Sequence, residues 1–293
     1  MTRYLTALAA GWVAACASPA FAQEAEVISV ASLPLSAEPE KSVFDDNWLA
    51  LGIGAIYEAT YDGSNDYELK PLPMIAGEIG GIRISPRSSG FSVDLLEVDL
   101  SDRLELNGGP VIKFRSDRTG KVGDEVVEAA GELDKAVELG AGARLVVKEV
   151  FHAYDRISIG ADVRKDVAGA HGGMVVTPGI SYRTPLSRGT VASLAVRAFY
   201  GDGDFTRYYY SVNPEQSAAS GLPEYEADGG WFKASAKLSF GYALNGDLER
   251  RGFILGTQVG YSRMLGDGAK TPFTDLRGSR NQFKIATGIG YVF

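Results

Sequence analysis

Cysteine and histidine are nearly absent from this chain of 293 residues, which carries one Cys and two His. One cysteine cannot build an intrachain disulfide framework. So few sulfur and imidazole ligands also exclude a structural zinc site. A basic surplus is missing too: 29 Lys and Arg stand against 37 Asp and Glu, a net charge of −8. The electrostatic footprint of a nucleic-acid binder is therefore not there. After residue 22 no run of about 18 or more apolar residues occurs, which removes a membrane-crossing helix. What is plentiful is glycine (36), tyrosine (14) and phenylalanine (13), and 45% of residues are hydrophobic. That apolar content argues against disorder.

The first 22 residues read as an export signal. Arg3 supplies the positive start, Leu5–Ala15 an apolar core too short to span a bilayer, and Ala20-Phe21-Ala22 an A-x-A cleavage site. Val13-Ala14-Ala15-Cys16 also matches a lipoprotein processing box, which would instead leave a lipid on Cys16. The A-x-A site, at a normal distance, is the favoured reading. The expected organisation is a signal peptide over 1–22, an acidic periplasmic leader over 23–46 containing Pro34 and Pro39, and one domain over 47–293.

That domain alternates with a period of two. In the last stretch Phe283, Ile285, Thr287, Ile289, Tyr291 and Phe293 form one face, and Gln282, Lys284, Ala286, Gly288 and Gly290 the other. The same design recurs in 230–244, 252–264, 134–148, 155–165 and 48–58. Such segments run to about 10–14 residues, longer than the ~5–6 of globular strands and matched to the ~9–11 of a tilted membrane-crossing strand. Oily faces ending in aromatics suit the two interfaces of a bilayer. Within hydrocarbon every backbone group must be paired, so strands span only as a closed barrel. The pattern predicts an all-β fold, a transmembrane antiparallel β-barrel of 12 strands: 48–58, 67–78, 82–87, 90–98, 104–115, 134–148, 155–165, 173–184, 190–205, 230–244, 252–264 and 281–293. With the N-terminus inside, the long insertions 116–133, 206–229 and 265–280 fall outside. The region 82–98 is the weak place, because Pro86 interrupts it. Residues 124–137 show helical spacing.

Catalytic chemistry finds little support. His152 and His171 lie in expected loops with no adjacent nucleophile and read as solvated. Gly201-Asp202-Gly203-Asp204 lacks the downstream acid of a calcium loop. No catalytic residue, metal ligand or cofactor site is expected. The inner-face charges are more informative: Lys113, Arg115, Glu138, Arg144, Lys148, Arg156, Asp162, Arg164, Lys233, Lys237 and Lys284 all fall on the lumen side by alternation. On the lipid side such a charge would cost about 2–4 kcal/mol near the midplane. A basic-leaning lumen suits anions; a self-paired network that stiffens the barrel is the favoured alternative. The Tyr208-Tyr209-Tyr210 run suits either an outer girdle or a recognition surface.

Several stretches taken in order resemble one family. Trp48–Tyr61 (WLALGIGAIYEATY), Lys70-Pro71-Leu72-Pro73-Met74, Leu133–Gly140, Tyr210–Tyr225 and the terminal Gly288–Phe293 are similar to the MipA/OmpV family of outer-membrane proteins, over 48–293. The resemblance implies an outer-membrane barrel in contact with lipid. It also implies a non-enzymatic scaffold that links a lytic murein transglycosylase to a murein synthase. A small-solute channel, or a surface antigen or adhesin acting through 206–229 and 116–133, are the alternatives. Ile289, Tyr291 and Phe293 also resemble the terminal signal by which barrels are recognised for assembly.

Overall fold

A computed structural model describes residues 42–87 and 90–293. The expected signal peptide, Cys16 and all but the end of the leader lie outside the described residues. The wall consists of β1 (Trp48–Ala59), β2 (Tyr67–Ile79), β3 (Ile82–Arg87), β4 (Gly90–Asp94), β5 (Leu96–Ser101), β6 (Leu104–Arg115), β7 (Ala136–Lys148), β8 (Arg156–Asp166), β9 (Met174–Ser187), β10 (Thr190–Gly201), β11 (Gly230–Ala243), β12 (Gly252–Met264) and β13 (Asn281–Val292). Each strand pairs antiparallel with its sequence neighbours, except that β4 and β5 do not pair with each other, and β1 pairs with β13. Both β4 and β5 pair with β6. They are two halves of one wall strand, broken at Leu95, whose N–H still reaches the Gly108 carbonyl at 3.1 Å. The result is a closed antiparallel barrel of twelve wall strands. Twelve residues at ~3.4 Å rise, tilted by ~40°, span about 30 Å, the hydrocarbon thickness.

Alternation sets the two faces. Leu51, Ile53, Ile159, Val163, Leu194, Val259 and Ile285 are exposed on the outer side. Aromatic pairs mark both rims of that side. Tyr57–Tyr67, Tyr200–Trp231 and Tyr261–Phe283 lie near the loop end, with ring centroids 5.2–5.6 Å apart. Phe253–Tyr291 and Tyr291–Phe293 lie near the termini, at 5.0 and 4.8 Å. The turns at the terminus end are short. Gly80-Gly81 makes the tightest one, with φ of 62° and 78°, the left-handed pair that a two-residue hairpin requires. Long loops gather at the opposite end. By the asymmetry of bacterial barrels, the terminus end is periplasmic and the loop end external.

The weak place at 82–98 forms the two strands expected, paired as a hairpin, and parity holds. Two expectations change. The strand expected over 190–205 stops at Gly201, because the Asp202 side chain accepts the Phe205 N–H at 3.0 Å and caps a helix there. The helical stretch expected within 124–137 is only Glu125–Ala129; Ala136 already belongs to β7.

The wall predicts its own sensitivity. Val259→Arg, at a lipid-facing position of β12, should lower the folding free energy by about 2–4 kcal/mol in urea titrations from lipid vesicles. Leu276→Arg, in the exposed 265–280 loop, should change it by under about 0.5 kcal/mol.

Candidate functional site: a bore closed at both ends

The external loops fold inward rather than away. They contribute α1 (Glu125–Ala129), α2 (Gly203–Tyr210), α3 (Pro214–Ser220), α4 (Gly266–Lys270) and α5 (Pro272–Asp275). The first three of these helices have side-chain caps. Asp124 accepts the N–H groups of Val126 and Val127, and Asn213 and Gln216 form a reciprocal capping box. Two apolar clusters hold the plug together. Val175, Phe199, Phe205, Tyr209, Tyr210, Phe232 and Met264 form one. Tyr61, Val122, Val127, Val212, Leu222 and Phe273 form the other. Cross-links tie the loops to one another. Thr60 Oγ1 donates to the Val122 carbonyl (2.8 Å), Arg118 Nη2 to the Tyr209 carbonyl (3.1 Å), and Arg277 Nη2 pairs with Asp124 (2.8 Å).

Beneath the plug lies a layer of buried charge. Glu138 on β7 is its hub, 0% exposed. It receives Arg115 Nε from β6 at 2.6 Å and Arg164 Nε from β8 at 3.0 Å. Arg164 also pairs with Asp162, and its Nη2 donates to Thr177 Oγ1 at 3.2 Å. The Arg115 guanidinium lies over the Phe205 ring, 4.8 Å from its centroid, so the plug rests on the charged layer through a cation–π contact. Across the bore, Lys233 Nζ donates to both oxygens of Asp62, at 2.8 and 2.7 Å. Lower down, Arg144 pairs with Asp94 (2.9 Å) and Lys148 with Glu105 (2.6 Å). Between these levels is a small cavity of about 30 Å³, lined in part by Asp94, Asn107, Arg144, Ser158, Asp162 and Arg197.

Loop groups feel this enclosure. Burial first, and then the like charge of Asp62, pushes the Asp117 carboxyl up to about 7. It still accepts the Asp62 N–H at 3.3 Å. Burial also raises the Tyr61, Tyr209 and Tyr210 hydroxyls and lowers the Arg118 guanidinium. At Asp124 the effect of burial is outweighed by the Arg277 hydrogen bond and the Val127 and Val126 N–H groups, which hold the carboxyl low.

The histidines separate. His152 is half-exposed in a periplasmic turn, with Nε2 2.8 Å from Thr184 Oγ1. His171 is buried against Phe205 and Tyr209, contrary to the solvated loop histidine expected. Its Nδ1 accepts the Gly173 N–H at 3.1 Å. Nε2, 3.6 Å from Glu138 Oε1, is then the nitrogen that carries the proton. The tyrosine run is likewise neither girdle nor recognition surface at Tyr209 and Tyr210, because α2 turns that face into the bore.

The periplasmic end is packed with a different material along β1, β2 and β10–β13. Ser42 caps a single 3₁₀ turn, Val43–Asp45, whose Phe44 meets Trp48 edge-on at 5.1 Å. Both join Ala76, Val191, Ala243, Leu248, Ile254 and Val292 in an apolar cluster. The Val43 N–H donates to the Glu249 carbonyl at 2.8 Å. Beside this cluster an open groove of about 460 Å³ runs along Asp46, Arg188, Asp247, Glu249, Arg250 and Arg251. The neighbouring turn, 149–155, is organised by Asp155, which accepts the Val150 N–H at 2.7 Å and the Tyr182 hydroxyl at 2.9 Å.

The family model for the MltA-interacting protein MipA matches residues 51–293. The chain belongs to this family. A putative outer membrane protein of Escherichia coli K12, YiaT, is 23% identical over 269 residues, covering 91% of this chain and 98% of that protein. Among solved structures, an outer membrane channel from Pseudomonas putida F1 is similar at 14% identity and a TM-score of 0.43, over 90% of this chain and 100% of that one. The outer membrane channel DcaP of Acinetobacter baumannii is similar at 9% identity and a TM-score of 0.40, over 85% and 96%. This MipA-family barrel is an outer-membrane protein.

Of the lumen charges expected from alternation, Lys113, Arg115, Glu138, Asp162, Arg164, Lys233, Lys237 and Lys284 are buried in this MipA-family chain. Arg144, Lys148 and Arg156 are half-buried. The structure brings Arg115, Glu138, Asp162 and Arg164 into one network. It sets Lys233 with Asp62, and Lys284 4.0 Å from Glu58. Sequence reasoning missed Arg183 and Arg197, also buried, although alternation along β9 and β10 carries their signal. It missed Asp62, Asp117, Arg118 and His171 because alternation ends where the loops begin.

Two expectations follow. Glu138→Gln leaves Arg115 and Arg164 without their shared carboxylate and should cost about 3–5 kcal/mol in vesicle unfolding, whereas Glu215→Gln on exposed α3 should be near neutral. Asp117 holds its proton more tightly folded (about 7) than its ordinary value of 3.8. Its stabilising contribution is therefore full below about pH 4 and is lost as pH rises through 7. Asp117→Asn should flatten the fall in stability between about pH 4 and about pH 7, measured by thermal unfolding of the detergent-solubilised protein.

Proposed function

We propose that this MipA-family barrel is a non-enzymatic scaffold. In this reading its periplasmic rim and leader hold murein (peptidoglycan) remodelling enzymes, a lytic transglycosylase and a murein synthase. The observation that carries the proposal is the filled bore, with the loop plug and buried charges at the outer end and the Phe44–Trp48–Leu248 cluster at the periplasmic end. A barrel so filled offers surfaces rather than a through-path. The family description, an MltA-interacting protein, supports the same reading and supplies the class of partner. The surface that fits it is the periplasmic groove, where Arg188, Arg250 and Arg251 alternate with Asp46, Asp247 and Glu249. Mixed charge at a wet rim favours specific, steered docking. The terminal Ile289, Tyr291 and Phe293 lie on or near the lipid side of the closing strand, and we take them as the assembly signal.

The test is retention of envelope proteins on the immobilised, detergent-solubilised chain. A lytic transglycosylase should be enriched, and Arg250→Glu with Arg251→Glu should lose it while the barrel still assembles. No murein enzyme above a control barrel would sink the scaffold. Steady conductance in planar bilayers would favour a solute channel instead. Host-surface binding lost on shortening 206–229 would favour an adhesin.

A further inference from the structure

Strand β5 is bonded along one edge. It pairs with β6 through Leu96–Gly108, Glu97–Asn107, Val98–Leu106 and Asp99–Glu105, with a register shift before Ser101. Among the described residues no strand pairs with its other edge. The cause is the place where the neighbouring strand begins. β3 sets Arg83 opposite Asp94 of β4, and one further step of that register sets Ile82 opposite Leu95. Ile82 is the first residue of β3 and follows directly on the Gly80-Gly81 turn. Leu96–Ser101 runs on past that turn for six residues, about 20 Å at ~3.4 Å per residue.

This stretch points into the periplasm. It leads to the turn at Asp102-Arg103, at the same end of the barrel as Gly80-Gly81 and the short turns. All six of its residues are exposed. In hydrocarbon an open edge would strand its N–H and C=O groups; beyond the rim water satisfies them until a partner replaces it.

Open edges are usually blunted with lysine, proline or a covering element. Leu96–Ser101 contains neither lysine nor proline, and among the described residues only β6 packs along it. What guards it is charge of one sign. Leu96, Val98 and Leu100 make one face, and Glu97 and Asp99 the other, with side chains 42% and 76% exposed. Glu97 lies 3.5 Å from Arg83, which is nearer to Glu78 at 3.1 Å. Asp99 lies 3.5 Å from Lys148, which is nearer to Glu105 at 2.6 Å. Each cation is thus shared with a closer carboxylate, and the face stays acidic.

That charge selects what can pair. A second copy laid antiparallel about Val98 would set Glu97 opposite Asp99, and like charges directly opposite destabilise a sheet. The preceding residues 23–41 hold Glu24, Glu26, Glu38 and Glu40 against Lys41 and meet the same repulsion. A strand with Lys or Arg at every second residue meets attraction instead, and apolar residues between them extend the row of Leu96, Val98 and Leu100.

We propose that β5 is an edge for strand addition at the periplasmic rim. Its occupant is an extended segment of a periplasmic protein that alternates basic and apolar residues. Backbone pairing along Leu96–Ser101 supplies affinity, and Glu97 and Asp99 supply the choice of partner. The proposal rests on the periplasmic placing of this end and not on the scaffold reading, whose groove lies at Arg188 and Asp247–Arg251. Either can fail without the other.

Fluorescence anisotropy of a labelled peptide as long as β5, with Lys and Val alternating, tests it on the detergent-solubilised chain from residue 23. In such a strand the Val amides face one edge and the Lys amides the other. Two further peptides carry N-methyl groups, one on its Val residues and one on its Lys residues. One of these should bind about tenfold or more weakly, and the other like the parent. Glu97→Lys with Asp99→Lys should lose the Lys–Val peptide and gain a Glu–Val peptide, a gain that also shows the variant to be folded. Methylated peptides that bind alike overturn the proposal, because the contact is then charge alone. A Lys–Val peptide held equally by the double variant lies elsewhere and overturns it too. Binding only by a chain that starts at residue 42 names residues 23–41 as the occupant, and a dimer dispersed by the peptide names a second copy; either overturns the proposed partner. No binding by any form removes the edge as a docking surface.

Discussion

Everything in this molecule depends on the requirement that backbone N–H and C=O groups in hydrocarbon be paired. Closing the ring from β1 to β13 meets it for the wall as a whole. Alternation follows as a consequence. Once the ladder fixes each strand, one side chain in two must face lipid and the other the bore, so Val259 lies outside and Gly260 inside. The charges are then confined to the lumen, where Arg115, Arg164 and Glu138 meet without contact with lipid or bulk water.

Confinement creates a second problem, because buried charges repay their desolvation only when geometry and hydrogen bonding are good. Glu138 meets it by accepting from two guanidinium groups, and Asp62 by accepting from Lys233 with both oxygens. The plug is built on this layer rather than beside it. Phe205 and Tyr209 lie against Arg115, and Arg118 lies over Phe273 at 3.9 Å. The outer closure is thus aromatic against cation, while the inner one is plain apolar packing of Phe44, Trp48 and Leu248. The two ends are held by different forces, the outer sensitive to protonation at Asp117 and the inner to the chain just before β1.

The wall was legible in the sequence because membrane strands obey one strong rule with a period of two, and the rule applies along each wall strand between Trp48 and Val292. Strand ends were legible only to within a few residues. The extension of 190–205 failed where Asp202 captured the Phe205 N–H, a local hydrogen bond that alternation cannot weigh. The site was legible only in part. Positions on strands, such as Glu138 and Lys233, could be placed by parity. His171, Asp62 and Asp117 could not, because their burial is decided by loops that fold over them, with contacts such as Asp62 to Asp117 spanning distant parts of the chain.

The prolines show where the same rule yields more than a face. Pro71 and Pro73 both stand in a long strand, where a proline costs the ladder a donor. Their spacing of two is the informative part, since residues two apart direct their backbone to the same edge. With β1 bonded through Ala50, Gly52, Gly54 and Ile56, both prolines fall on the edge towards β3, and Pro86 falls on the edge that faces them. One proline in a wall strand can be absorbed by a bulge. Pro71, Pro73 and Pro86 each remove one donor near a single joint, and the β2–β3 ladder ends at Gly77 and Ile84, two residues before Pro86.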